Sequence, residues 1–157
     1  MTLYMKKDAF SWGRPLALTD KNGRTRYTVD GDAYAPGKRL NILDLAGKTA
    51  VSVRQRFPSL FPRYEIEVYG KPVAALIKDL RTSPPSLRIE TLGWTLTGSV
   101  SACEYELLRG ETELAASRPI SGSPGILALT CPDPPETLTA LGGLVTVNCI
   151  LSPQSTV

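Results

Sequence analysis

The chain has 157 residues, a formal net charge of +3, 42% hydrophobic residues and no histidine. That length suits one domain able to bury its own core, and the composition is not that of a disordered chain. Without histidine there is no Ser-His-Asp or Cys-His machinery, no histidine general base and no His-based metal site.

Short segments with period-two alternation, separated by turn signals, fill residues 2–131. Leu16-Ala17-Leu18-Thr19 runs into Asp20-Lys21-Asn22-Gly23, and Asn-Gly marks a tight turn because both residues accept positive φ. Arg26–Asp30 follows, then Leu40–Asp44, a turn at Leu45–Lys48, and Ala50–Arg56. Arg63–Tyr69 alternates strictly, and Gly70-Lys71 leads into Val73–Leu80. Pro84-Pro85 reads as a tight loop before Leu87–Glu90. Trp94–Val100 alternates again; Glu104–Leu108 meets Glu113–Ala116 through Arg109-Gly110-Glu111, and Ile126–Thr130 closes the series. About a dozen strands at this spacing predict a β-sandwich or a barrel, with no linker and no domain boundary.

Pro132-Asp133-Pro134-Pro135 breaks the pattern. Pro135 suits a first helical position and Glu136 the positive end of a helix. From Leu138 to Leu151 apolar residues point all ways round, which predicts a helix over about 135–151, buried on every side. Gly142-Gly143 disfavours a helix by about 1 kcal/mol per residue, and makes sense where a wall of side chains comes close. The competing reading is a buried last strand, Leu144–Ile150. No 18-residue apolar run spans a membrane and no secretory leader is visible, so the expectation is a cytoplasmic chain. Cys103, Cys131 and Cys149 are an odd, widely spaced set, read as reduced and mostly buried thiols.

Several residue groups resemble the short bacterial members of the LURP-one-related family, part of the tubby C-terminal-like group. They are Leu3–Lys6 with Phe10-Ser11-Trp12-Gly13, Asp20 with Gly23, Tyr27, Val29 and Gly31, Lys38-Arg39-Leu40 with Asp44, Leu60–Ile66, Leu92-Gly93-Trp94 with Gly98, and Tyr105-Glu106. Their order covers roughly residues 2–151. The resemblance implies a single domain over 1–157: a mainly β, closed barrel of about twelve strands around a central hydrophobic C-terminal helix. It implies a non-catalytic module and no cofactor.

Charge adds one direction. Residues 1–88 carry 16 Lys and Arg against 8 Asp and Glu, while residues 89–157 carry 2 against 7. Lys38, Arg39, Arg54, Arg56 and Arg63 form a candidate ligand-binding cluster, and each basic residue near an anionic surface is worth about 1 kcal/mol. Trp12 with Arg14 is a candidate membrane-interface anchor, set against a plain role plugging one end of the barrel. Kinship and charge together point to an anionic phospholipid headgroup or another phosphate-bearing ligand, with peripheral membrane association. The alternative is a module that binds another protein and no small molecule. Nucleic acid is disfavoured, since there is no basic helix and no RNA-binding aromatic pair.

Other motifs read as ordinary surface. Glu65/Glu67, Glu104/Glu106 and Glu111/Glu113 share strand faces as i,i+2 pairs, which solvated outer faces produce anyway. No Asp cluster has calcium-loop spacing. Ser121–Gly125 lacks the Lys of a phosphate loop and any histidine to activate a serine, so it reads as a hairpin loop.

Overall fold

The computed structural model describes residues 1–7, 10–32, 37–56, 60–81, 86–99 and 102–151. Twelve antiparallel strands close into a barrel in which each strand pairs with its sequence neighbours. They are β1 (Thr2–Lys6), β2 (Leu16–Thr19), β3 (Thr25–Asp32), β4 (Arg39–Leu43), β5 (Thr49–Gln55) and β6 (Arg63–Val68), then β7 (Lys71–Asp79), β8 (Ser86–Glu90), β9 (Trp94–Ser99), β10 (Glu104–Arg109), β11 (Thr112–Ile120) and β12 (Ser123–Thr130). Closure comes from β1, which pairs with β12 through five residues and with β2 at Tyr4 and Thr19. No sheet edge is left open along the circuit, which removes a common route to aggregation.

The alternation read from sequence is the alternation of the wall. Leu3, Leu18, Val29, Leu40, Ile42, Val53, Ile66, Leu107 and Leu129 point inward and are buried. β7 departs from it: Ala74 through Ile77 are all buried, on both faces. Ile77 is in register with Arg63 and Arg88, so it lies on the outer face, where the stems of long basic side chains cover apolar surface.

Helix α1 (Thr137–Cys149) runs up the barrel interior. Leu141, Leu144 and Val145 are fully buried and Ile150 is 1% exposed, so the helix is core and the last-strand alternative is set aside. Its polar groups are satisfied locally. Thr146 Oγ1 donates to the Gly142 carbonyl at 2.7 Å, and Asn148 Nδ2 donates to the Leu144 carbonyl at 2.8 Å and to Ser117 Oγ at 3.0 Å.

Some boundaries differ from the sequence reading. The helix begins at Thr137, two residues after Pro135, with Glu136 at the cap position. β1 was not distinguished among the alternating segments; its inward residues are Leu3 and Met5. β12 begins at Ser123, so the turn before it is Ser121-Gly122 rather than all of Ser121–Gly125. Glu111 sits in the β10–β11 turn, so Glu111 and Glu113 do not share a strand face. The readings at Pro84-Pro85 and Val100 lie outside the described residues.

Antiparallel succession gives the barrel two ends. The connections after odd-numbered strands lie at the end where α1 finishes, the tip; those after even-numbered strands lie at the base, where α1 starts. At the base, two hairpins are built alike. Asp20 Oδ1 accepts from the Asn22 and Arg24 N–H groups at 2.8 and 3.0 Å, and Asp44 Oδ1 accepts from those of Ala46 and Lys48 at 2.9 and 3.0 Å. Gly23 and Gly47 supply the φ of about +80° that such turns need.

Candidate functional site

The two ends differ in charge. Among the described connecting residues, the charged ones at the tip are Lys7, Arg14, Lys38, Arg56 and Arg81, all basic. At the base Lys21, Arg24 and Lys48 alternate with Asp20, Asp44, Glu111, Asp133 and Glu136. Among these connecting residues the tip is basic and the base is mixed.

One row of residues crosses the outer wall in direct register, from Asp32 at the tip end of β3 through Arg39, Arg54, Glu65 and Ala75 to Glu90 at the base end of β8. Directly opposed residues share a face with Cβ atoms about 5 Å apart, and like charges so placed repel. Arg39 and Arg54 are such a pair. The acids beside them are engaged elsewhere. Glu65 Oε2 accepts from Arg56 Nε at 2.7 Å, with Arg63 Nε at 4.0 Å from the other oxygen. Glu90 pairs with Arg63.

The five basic residues singled out from sequence thus divide. Arg56 and Arg63 neutralise Glu65 and Glu90. Arg39 and Arg54 have no acidic partner among the described residues. The Nε of Arg39 is enclosed and donates to nothing there. Lys38 adjoins the pair, anchored by its carbonyl to the Gln55 N–H at 2.9 Å. Two opposed guanidinium groups without an acidic partner offer, through their terminal nitrogens, the donors that a phosphate or carboxylate accepts.

Trp12 and Arg14 lie in the β1–β2 connection at the same end. Trp12 packs edge-on against Phe10, ring centroids 5.1 Å apart, and over the backbone of Gly31. A Cβ at Gly31 would come within 2.7 Å of the indole, so only glycine permits that seat. Trp12 is half-buried while Arg14 is exposed.

A second charged cluster was not singled out by the sequence. Asp79, with a side chain 6% exposed, accepts from Arg81 at 2.6 Å and from Arg88 at 3.0 Å. Hydrogen bonds from the Arg81 side chain, and then from its backbone N–H, hold the carboxyl well below the usual carboxylate range. The guanidinium of Arg81 stacks over Phe61, 5.3 Å from the ring centre. The Asp79-Leu80-Arg81 spacing carried the only signal, and Arg88 arrives through register alone. Both ion pairs are made within the cluster, which ties Arg81, and Arg88 of β8, to the end of β7.

Among the described residues, no three of Cys, Asp and Glu converge as metal ligands. Glu106 and Glu113 share Arg118 as an ion-pair partner. Cys131 and Cys149 are buried free thiols, and burial pushes both up to about 12. A thiol so placed is a poor nucleophile. No described helix is long and apolar enough to cross a membrane.

Comparison with known proteins agrees with this geometry. The family model described as LURP-one-related matches residues 1–127. The uncharacterized protein YxjI of Bacillus subtilis is 35% identical over 109 residues, covering 69% of this chain and 67% of that protein. The X-ray structure of an Arabidopsis thaliana protein superposes with a TM-score of 0.62 at 15% identity, covering 93% of this chain and 88% of the other. That likeness is one of fold.

Proposed function

We propose that this chain, which belongs to the LURP-one-related family, is a binding module without catalytic activity that holds an anionic, phosphate-bearing group on Arg39 and Arg54. The observation carrying this reading is the Arg39–Arg54 pair, two guanidinium groups opposed in the ladder with no ion-pair partner among the described residues. An anion bridging their terminal nitrogens offsets the repulsion. Lys38 and the basic connections at the tip extend the favourable field toward an anionic surface. A lipid headgroup and a free phosphate ester present the same chemistry.

Liposomes bearing a phosphoinositide, compared with the soluble inositol phosphate, separate the sources. Binding to both that weakens as salt is raised, and that is lost in the Arg39→Gln, Arg54→Gln double variant but kept in Arg56→Gln, supports the site. Unchanged binding in the double variant removes it. If the unmodified protein binds neither probe, the tip is better read as a surface for another protein, with Leu60 exposed there.

A further inference from the structure

Two seams of the barrel wall are thin: β1 and β2 share one register pair, and the second lies between β8 and β9. β8 and β9 share three register pairs, ending at Leu87 and Leu96, where β7 and β8 share five and β9 and β10 share six. Gly98 explains the direction of the split. It faces Tyr105, and a Cβ there would fall 2.1 Å from the Glu104 carbonyl oxygen, so glycine lets β9 lie tightly on β10 and away from β8. Where the seam opens, toward the tip, a cavity of about 400 Å³ reaches the end of α1. Its floor is Val147 and Leu151, its walls include Leu87, Leu96 and Tyr105, and Lys78 stands at its margin. Lys78 is in register with Leu87, whose face is the inner one, and it is half-buried.

We infer that this cleft is a binding site for a single-chain amphiphile with a carboxylate head. The hydrocarbon lies against Leu87, Leu96, Val147 and Leu151, and the carboxylate meets the Lys78 ammonium. Three observations select that class. The lining is mostly apolar, as small-molecule sites are, and the volume lies at their lower end, enough for one chain and too little for a two-chain lipid. Among the described residues Lys78 is the sole charged one of the lining, and none of their ion pairs includes it. A lone cation beside apolar walls, with its stem packed and its head free, selects an anion on an apolar tail. The site is separate from the Arg39–Arg54 row, which faces outward on β4 and β5.

Calorimetric titration of the full, delipidated chain with dodecanoate, held below micelle-forming concentration, tests the assignment against dodecyltrimethylammonium. One-to-one binding of the carboxylate and none of the cation is expected. Lys78→Met should weaken dodecanoate binding about tenfold, the loss of one charge-assisted contact. Leu87→Trp, at a half-buried, inward-facing position of the lining, should abolish it by filling the cleft, with a cooperative melt showing that the variant folds. The Arg39→Gln, Arg54→Gln variant should bind dodecanoate normally. Failure of the unmodified chain to bind, equal binding of both amphiphiles, unchanged affinity in a folded Leu87→Trp, or loss in the arginine variant would each overturn the assignment.

Discussion

Gly142 on the central helix faces Val51 of β5 so closely that a methyl group built there would lie 3.0 Å from Val51 Cγ1. Ile66 Cγ2 would be 3.3 Å away. Both neighbours are fully buried β-branched side chains with little rotamer freedom. At Gly143 the same methyl group meets Ile89 Cδ1 at an ordinary 3.6 Å. The two adjacent glycines should therefore respond in opposite directions to alanine. Gly143→Ala should gain up to about 1 kcal/mol from helix propensity. Gly142→Ala should lose about 1–2 kcal/mol net, because overpacking outweighs the same gain. Urea unfolding of the two variants reads the difference, and a stabilised Gly142→Ala would show that the wall yields.

Leu144 sits at the middle of the helix with no exposed surface. Leu144→Ala should cost about 2–5 kcal/mol through the cavity left behind, a large share of a stability of roughly 5–15 kcal/mol. Leu144→Asp should abolish folding, since an unpaired carboxylate there has no water and no partner. Removing residues 136–157 should give an aggregating shell, because the inward faces of β5, β6 and β11 lose the surface they pack on. A monomeric, cooperatively melting truncation product would contradict the helix's role as core.

The wall was legible because one face of each strand is buried, and burial on one face is what period-two alternation records. Leu40, Ile42, Val51 and Val53 are examples, all fully buried. The helix was legible because a helix enclosed on all sides must be apolar on all sides. The site was legible only in outline. Composition marks Lys38, Arg39, Arg54, Arg56 and Arg63 alike, yet ion pairs across neighbouring strands engage Arg56 and Arg63 with Glu65 and Glu90, while register leaves Arg39 facing Arg54. Register between strands is a tertiary property that no single segment encodes. The same holds for Arg88 reaching Asp79, and for the β8–β9 cleft, whose sequence trace is a glycine at position 98.

Asp79 supplies a pH dependence with a definite sign. Its two arginine partners lower its folded-state pKa beneath the usual value of about 4. A carboxyl whose folded pKa is depressed binds protons more readily when unfolded. Its contribution is therefore complete above the unfolded-state value and is lost as pH falls through about 4 toward the folded one. Asp79→Asn should be less stable than the unmodified chain at neutral pH, and its stability should fall less steeply on acidification below about pH 4. Thermal melts between neutral pH and about pH 3 give both slopes. Parallel slopes would mean that the cluster contributes nothing to acid sensitivity.

Arg39 is expected to trade stability for binding. Its enclosed Nε lacks an acceptor, and a buried donor left unpaired costs about 1–3 kcal/mol. Arg54, opposed to it in the ladder, adds repulsion. Methionine preserves much of the length and apolar stem of arginine while removing both costs. Arg39→Met should therefore match or exceed the unmodified chain in stability when measured in buffer free of phosphate and sulfate. An inositol phosphate should reverse the order, since a ligand that binds only the folded state adds about 2.7 kcal/mol at a hundred times its dissociation constant. The ligand should raise the melting temperature of the unmodified chain and leave that of Arg39→Met where it was. If Arg39→Met is instead markedly less stable in anion-free buffer, the guanidinium is holding the wall together, and the assignment of Arg39 to an anion fails.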